Sequence, residues 1–374
     1  MSFILYFIIG VLGLLLGITL TNAIFGPRLT QAPKPKSFPG VSVLVPARNE
    51  AENLPACLQD LLQQDYPHFK IYVLDDHSTD GTAAILQDYQ KRDTRVHYFS
   101  GLPLPENWLG KNWACHQLRQ RAAGDIFIFT DADLRYAPQV IAQTVGWMQQ
   151  LNLGMLTAFS QQITKTFPEK LIVPLFDLLV YSYLPLWLTY YSPRPSLAAA
   201  NGHWLAFTRA AYDRIGGHAA VRDHVVEDVA LSRLAKQNGV KLLALAGTGA
   251  MRGRMYENLR GIWEGYSKNL FGLLGFRTAP FFATLGMFFL LHLAPYFMLL
   301  DTQASALAGI AVALNMALRL VLALRFAHPI AASVLLHPAG VMAVLLIGLN
   351  SYRWFKTGKG KWKGRQFSLR AHHV

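Results

Sequence analysis

No charged side chain occurs before Arg28, and residues 281–300, 302–318 and 326–352 are equally free of Lys, Arg, Asp and Glu. About 20 consecutive apolar residues cross the hydrocarbon of a bilayer, so both ends of the chain are expected in a membrane. The charged middle, residues 28–278, is expected in water. Composition agrees: 52% of residues are hydrophobic and only 15% charged, against about 25% charged in an ordinary soluble domain. A cleaved leader fits the first segment poorly. No positive residue precedes the apolar run, and the run exceeds the roughly 7–15 residues of a signal-peptide core. Residues 1–27 therefore read as an uncleaved transmembrane anchor.

The formal net charge of +13 raises the question of nucleic acid. The bases follow the apolar segments instead. Seven Lys and Arg fall between Arg353 and Arg370 with no acid among them, and Arg28, Lys34, Lys36 and Arg277 flank the anchors. Basic flanks mark the cytoplasmic side of membrane segments and attract anionic lipid, so no nucleic-acid partner is expected. Two cysteines, Cys57 and Cys115, make neither a disulfide framework nor a zinc spacing. The organisation expected is a 28–250 cytoplasmic catalytic domain, a 251–280 interfacial amphipathic region, two or three transmembrane helices over 281–352 and a basic tail over 353–374. Residues 171–191, apolar and aromatic but broken by prolines and Asp177, read as a membrane-surface segment. Three full spans after the anchor would carry the basic tail outside, against the positive-inside tendency. "LLHPAG" at 335–340 is where the last segment can break.

In the middle, short β-branched runs alternate with amphipathic ones. "VSVLVP" (41–46), "FKIYVLDD" (69–76), "RVHYFS" (95–100) and "DIFIFTDAD" (125–133) read as strands. Helices are expected between them over 50–64, 81–92 and 112–124, the second capped by Thr79 or Asp80. Such alternation implies a parallel sheet with helices on both faces, and ligands then bind outside the carboxyl ends of the strands. Two acidic groups, Asp75 with Asp76 and Asp131 with Asp133, sit at those ends.

Alternate residues on a strand face one way, so Asp131 and Asp133 can point at one hard cation such as Mg2+ or Mn2+, completed by substrate phosphate. Haloacid-dehalogenase phosphatases also use D-x-D, but on a first strand and usually with Thr or Val where Arg135 stands here. Lys111, at a glycine turn before a helix, is placed to meet phosphate oxygens. Glu227 and Asp228 open an amphipathic helix. Acids there are commonly dipole partners, but a buried acid beside another acid can also serve as a general base.

"VLVPARNEAENL", "LDDHSTDGT", "DAD" and "EDVALSRL", in this order, resemble glycosyltransferase family 2 over about residues 41–240. "WLGKNWA", the "NGHWLAFTRAAYDRIGGHAAVRDHVVED" stretch, "RMYENLRGIWEGYSKNLF" and the tail "GKGKWKGRQF" are similar to a membrane-bound branch of that family, which holds carotenoid and hopanoid-associated transferases. The resemblance implies a GT-A type nucleotide-diphospho-sugar transferase fold, α/β with a mostly parallel sheet and helices on both faces, plus N-terminal and C-terminal transmembrane helices. It implies that Pro46, Ala47 and Glu50 line a nucleoside pocket, that Asp76 meets the base with Asp75 supporting it, and that Lys111 faces the diphosphate. It also implies Asp131 and Asp133 as metal motif, Asp228 as general base and Glu227 as its neighbour. His203, Arg254 and Trp263 are further candidates for acceptor or diphosphate contacts. The Q-x-x-R-W of polymer-extruding members is missing around Trp263, so polymer extrusion is not expected. The function implied is inverting, Mg2+- or Mn2+-dependent transfer from a nucleotide sugar, with UDP expected, to a carotenoid-like or terpenoid-like lipid at the cell membrane. Other lipid acceptors (ceramide-like, glycerolipid or polyprenyl) and a non-catalytic nucleotide-sugar-binding scaffold are the alternatives.

Overall fold

The computed structural model describes residues 2–358 throughout, together with the backbone of 360–362 and 365–367. The basic tail beyond 358 otherwise lies outside the described residues. The chain forms two units: an α/β unit of residues 26–163 and 186–255, and a helical unit of residues 2–25, 164–185 and 256 onward. The soluble domain expected over 28–250 is thus interrupted, because 164–185 belong with the helices.

The α/β unit is built on a seven-stranded sheet. Strands β1 (Val41–Ala47), β2 (Phe69–Asp75), β3 (Val96–Ser100) and β4 (Ile126–Phe129) lie parallel in the order 3-2-1-4. Beyond β4 follow Leu205–Thr208, Met155–Phe159 and Leu242–Ala246. Leu205–Thr208 runs antiparallel to both its neighbours. Alternation along each strand explains the two cores. Val41, Val43, Val45, Ile126 and Ile128 pack on one face with Leu54, Leu58 and Leu61 of the helix Leu54–Leu62. Leu44, Phe127 and Phe129 pack on the other with Cys115 and Leu118 of the helix Gly110–Arg121. A strand covered on both sides is apolar at nearly every position, and a fully buried Val, Leu or Ile contributes about 1.5–3 kcal/mol. The chain reverses its order across the sheet at β1, so the crevice between the carboxyl ends of β1 and β4 is where a ligand is expected.

Two local readings are corrected. The helix Thr82–Arg92 has Gly81, not Thr79 or Asp80, at its N-cap position. Asp80 still serves that end, accepting from the Thr82 N–H at 3.0 Å and the Thr82 hydroxyl at 2.6 Å. The D-x-D motif stands beyond β4, in the turn that leads to the short strand Leu134–Tyr136. Strand alternation therefore does not aim its carboxylates.

In the helical unit, Ser2–Phe25 and Ser305–Phe326 are long and apolar enough to cross a membrane. At 1.5 Å per residue, each exceeds the roughly 30 Å of a hydrocarbon core. Leu259–Leu273 and Thr278–His292 pass the same test only as a pair, bent by 117°. The last apolar segment breaks at Leu336 into Ile330–Leu335 and His337–Thr357. The first helix carries polar residues where it meets its own unit. Thr19 donates to Ser182 Oγ at 2.8 Å, and Asn22 donates to the carbonyls of Tyr181 and Leu184 at 2.8 Å.

Candidate active site

The ends of β1 and β2 are tied together. Ala47 pairs with Asp75, and the Asp76 N–H donates to Ala47 O at 2.8 Å. Asp75 accepts from the Ser78 N–H at 3.1 Å, which holds the turn that follows it. Asn49 and His77 take positive φ, a conformation that Asn and His adopt more readily than most residues. That lets the two turns face each other: Asn49 Oδ1 accepts from Thr79 N–H at 2.8 Å, and Asn49 N–H donates to Ser78 Oγ at 2.9 Å. Glu50, 7% exposed, accepts from Asn53 Nδ2 at 2.8 Å, while its N–H donates to Thr82 Oγ1 at 2.9 Å. Asp76 has Arg48 Nη1 3.8 Å from its carboxylate. Pro46, Ala47, Glu50, Asp75 and Asp76 thus share one rigid strand-end cradle.

A second group gathers beyond β4. Thr130 Oγ1 donates to His203 O at 2.6 Å, and Tyr136 OH donates to Asp131 O at 3.1 Å. These bonds fix the turn that presents Asp131. Lys111 Nζ then bridges two acids, 2.9 Å from Asp131 Oδ1 and 3.1 Å from Glu227 Oε1. Burial alone would lower the Lys111 ammonium, but Asp131 and Glu227 together hold it well above the ordinary lysine range. The lysine is placed by its neighbour Asn112, 1% exposed, whose amide donates to the carbonyls of Val221, Arg222 and His224 at 2.8, 3.2 and 3.0 Å. One side chain so joins the helix Gly110–Arg121 to the approach of the helix Glu227–Gln237.

Asp228 lies beside this bridge. Its Oδ2 accepts from the Gly202 N–H and its Oδ1 from the Val229 N–H, both at 2.7 Å. Those bonds and Lys111 favour the carboxylate. Burial and the adjacent Glu227 outweigh them and raise Asp228 to about 7. A carboxyl poised near neutrality is what general acid–base chemistry requires. Gly202 is packed into the centre: a Cβ there would stand 3.0 Å from Lys111 Nζ and 3.6 Å from both Asp228 Oδ2 and Glu227 Oε1. Pro46, Lys111, Asp131, Gly202 and Glu227 line one small pocket.

Among the described residues, no three His, Cys, Asp or Glu side chains form a ready metal cage. The donors available, Asp131 with Asp133, are hard carboxylates. They fit an Mg2+-like ion that takes one or two protein carboxylates and completes its shell with substrate phosphate and water. Arg135, two places on from Asp133, is held elsewhere by Asp60 at 2.6 and 2.9 Å.

Of the remaining candidates, His203 is engaged in the core. It is 4% exposed, its Nδ1 lies 2.6 Å from Ser160 Oγ, and burial lowers it to about 4, so it is neutral and supplies no charge for a diphosphate. Arg254 follows the strand Met251–Gly253 of the same unit. Trp263 belongs to the helical unit, where Asn350, with its amide oxygen oriented inward, accepts from the indole at 3.0 Å. Asn112 and Gly202 were missed as candidates. Their only sequence signals are an Asn beside a candidate lysine and an Asn-Gly pair.

The mostly parallel sheet, with carboxylates and a lysine at its carboxyl edge, has a GT-A-like α/β fold. In agreement, the structure of a mannosyltransferase from Pyrobaculum calidifontis, solved with GDP-Man and Mn2+, superposes with a TM-score of 0.56 at 20% identity, covering 94% of this chain and 99% of that one. Residues 42–216 match the model of glycosyl transferase family 2. Its curated relatives include the 4,4'-diaponeurosporenoate glycosyltransferase of Staphylococcus haemolyticus (strain JCSC1435), 27% identical over 241 residues. That of Staphylococcus aureus (strain USA300) is 27% identical over 233 residues. Each match spans 62% of this chain and only 60% of the relative.

Proposed function

We propose that the protein is a membrane-anchored glycosyltransferase that moves a sugar from a nucleoside diphosphate donor, a UDP-sugar first, to an oxygen of a carotenoid-like or terpenoid-like lipid. The observation that carries this reading is the Lys111 bridge between Asp131 and Glu227, with Asp228 beside it, at the carboxyl edge of the sheet. The relatives' printed acceptor is a carotenoid acid, and the two long apolar helices suit an acceptor held in a bilayer.

In this reading the strand-end cradle holds the nucleoside. Asp76 accepts a hydrogen bond from the base, and Asp75 keeps the turn in place. Lys111 leaves one of its acids to meet the diphosphate. Asp131 and Asp133 hold the divalent ion, which when bound offsets charge on the leaving diphosphate. Asp228 takes the proton of an acceptor hydroxyl. The acceptor oxygen forms its bond to the anomeric carbon from the face opposite the departing diphosphate. The bond from that carbon to the diphosphate oxygen breaks, its electron pair stays on the diphosphate, and the sugar inverts. With an acceptor carboxylate no proton need leave, and neutral Asp228 donates a hydrogen bond to orient it. The catalytic unit faces the cytoplasm, where nucleotide sugars and the basic flank after the first helix are both expected.

The test incubates membranes holding the full chain with UDP- and GDP-sugars and a lipid extract, with Mn2+, Mg2+ or a chelator. Mass spectrometry of the lipid fraction should find a hexose adduct that disappears with the chelator. No adduct from any donor would favour a nucleotide-sugar-binding scaffold.

A further inference from the structure

The helical unit holds a polar cluster that sugar transfer does not use. Arg319, in the body of Ser305–Phe326, is 1% exposed. It donates Nε to Ser333 O at 3.0 Å and Nη1 to Pro174 O at 2.7 Å. Both acceptors are neutral carbonyls beside helix breaks. Asp177 is within electrostatic reach, but its Oδ2 is 2.7 Å from His328 Nε2. An ionised side chain in an apolar helical bundle is rare and marks a functional pathway or site.

The neighbours of Arg319 have donors to spare. His337 is 2% exposed, and among the described residues neither of its ring nitrogens has a hydrogen-bond partner; nor do Ser333 Oγ and Tyr296 OH. The His337 ring is 6.3 Å from that of Tyr296 and 5.5 Å from that of His292. His292 makes the contrast clear, since Tyr183 OH at 2.7 Å and Asn315 Oδ1 at 2.5 Å satisfy both its nitrogens. His337 also opens the 21-residue helix His337–Thr357, whose start has no side-chain cap. A helix N-terminus, a guanidinium and several hydroxyl or ring N–H donors together suit an anion. The guanidinium disfavours a metal cation. Outside the cluster, Phe289, Phe297, Leu320 and Leu324 expose apolar surface.

We propose that Arg319, Ser333, His337 and Tyr296 bind the oxyanion head of an amphiphile, a carboxylate or phosphate carried on an apolar tail. Irregular backbone at the "LLHPAG" break is then explained, because broken helices are tolerated at membrane depth where they line a site.

The test uses the purified full chain in phosphatidylcholine nanodiscs and radiolabelled oleate as probe, so its readout is independent of sugar transfer. Saturable binding is expected, displaced by unlabelled oleate or phosphatidate but not by oleyl alcohol. Stronger displacement by phosphatidate assigns the site to a membrane phospholipid; stronger displacement by oleate assigns it to a free acid. Tyr296→Phe and Ser333→Ala should each weaken binding about tenfold, the loss expected for one hydrogen bond to a charged group. Arg319→Gln should abolish it; should that variant not fold, the two hydroxyl deletions decide. Non-saturable uptake, equal displacement by the alcohol, or unchanged affinity in both hydroxyl variants would overturn the proposal.

Discussion

Gly202 donates its backbone N–H to Asp228 Oδ2 at 2.7 Å, across 26 residues of chain. A side chain at 202 would meet the Lys111 ammonium at 3.0 Å before anything else. Lysine is flexible and can give way, so Gly202→Ala should cost less than about 1 kcal/mol of stability, as small local shifts do. The displaced Lys111 is the greater effect. Transfer should fall about tenfold, a size reached when reacting groups are misplaced, with the melting temperature nearly unchanged. Thermal denaturation and initial rates on the same preparation check this.

The Asp228 carboxyl, raised to about 7 by burial and Glu227, sets a pH dependence. With a hydroxyl acceptor the base must be ionised, so kcat/KM should rise with pH through about 7. Stability should move the other way. The folded carboxyl binds its proton more tightly than an unfolded one near about 3.9, so folding loses stability as pH rises from about 4 to 7. Glu227→Gln removes a cause of the upward shift and should move the acid limb of the rate profile to lower pH. A rate that falls through 7 would instead assign neutral Asp228 to an acceptor carboxylate.

Lys111→Met tests the bridge. Without the ammonium, Asp131 and Glu227 lose their shared partner, and Asp228 loses the charge that lowers it. The rate profile should shift above pH 7, the opposite direction from Glu227→Gln. Donor KM should rise roughly tenfold, the low end of the loss for a hydrogen bond between charged groups, about 1.5–3 kcal/mol.

Much of this architecture was legible in the chain. Val41, Val43 and Val45 alternate with residues that the opposite face also buries, so β1 read as a strand covered on both sides. The acids at its neighbours' ends followed from the same pattern. Leu205–Thr208 was not legible: four residues give no period, and its antiparallel direction depends on partners far off in sequence. The same distance hid Asn112 and Gly202, whose roles lie in backbone contacts to 221–224 and 228. Asp131 and Asp133 are candidates by residue type and by an expected strand face, but the turn that presents Asp131 depends on Thr130 and Tyr136. In the helical unit, the break at "LLHPAG" was visible, while the bond from Arg319 to Ser333 O just before it was not.

The most direct measurement compares wild type and Asp228→Asn in two assays on one preparation: transfer of labelled sugar into the lipid phase, and binding of the nucleotide sugar. Asn keeps the shape and can still lie against Gly202, but it cannot take a proton. Transfer is predicted to fall by about 10²–10⁴, the usual contribution of a general base, with the donor Kd changed by less than about twofold, well under the tenfold that 1.4 kcal/mol represents. An Asp228→Asn protein that transfers sugar at the wild-type rate would contradict the account.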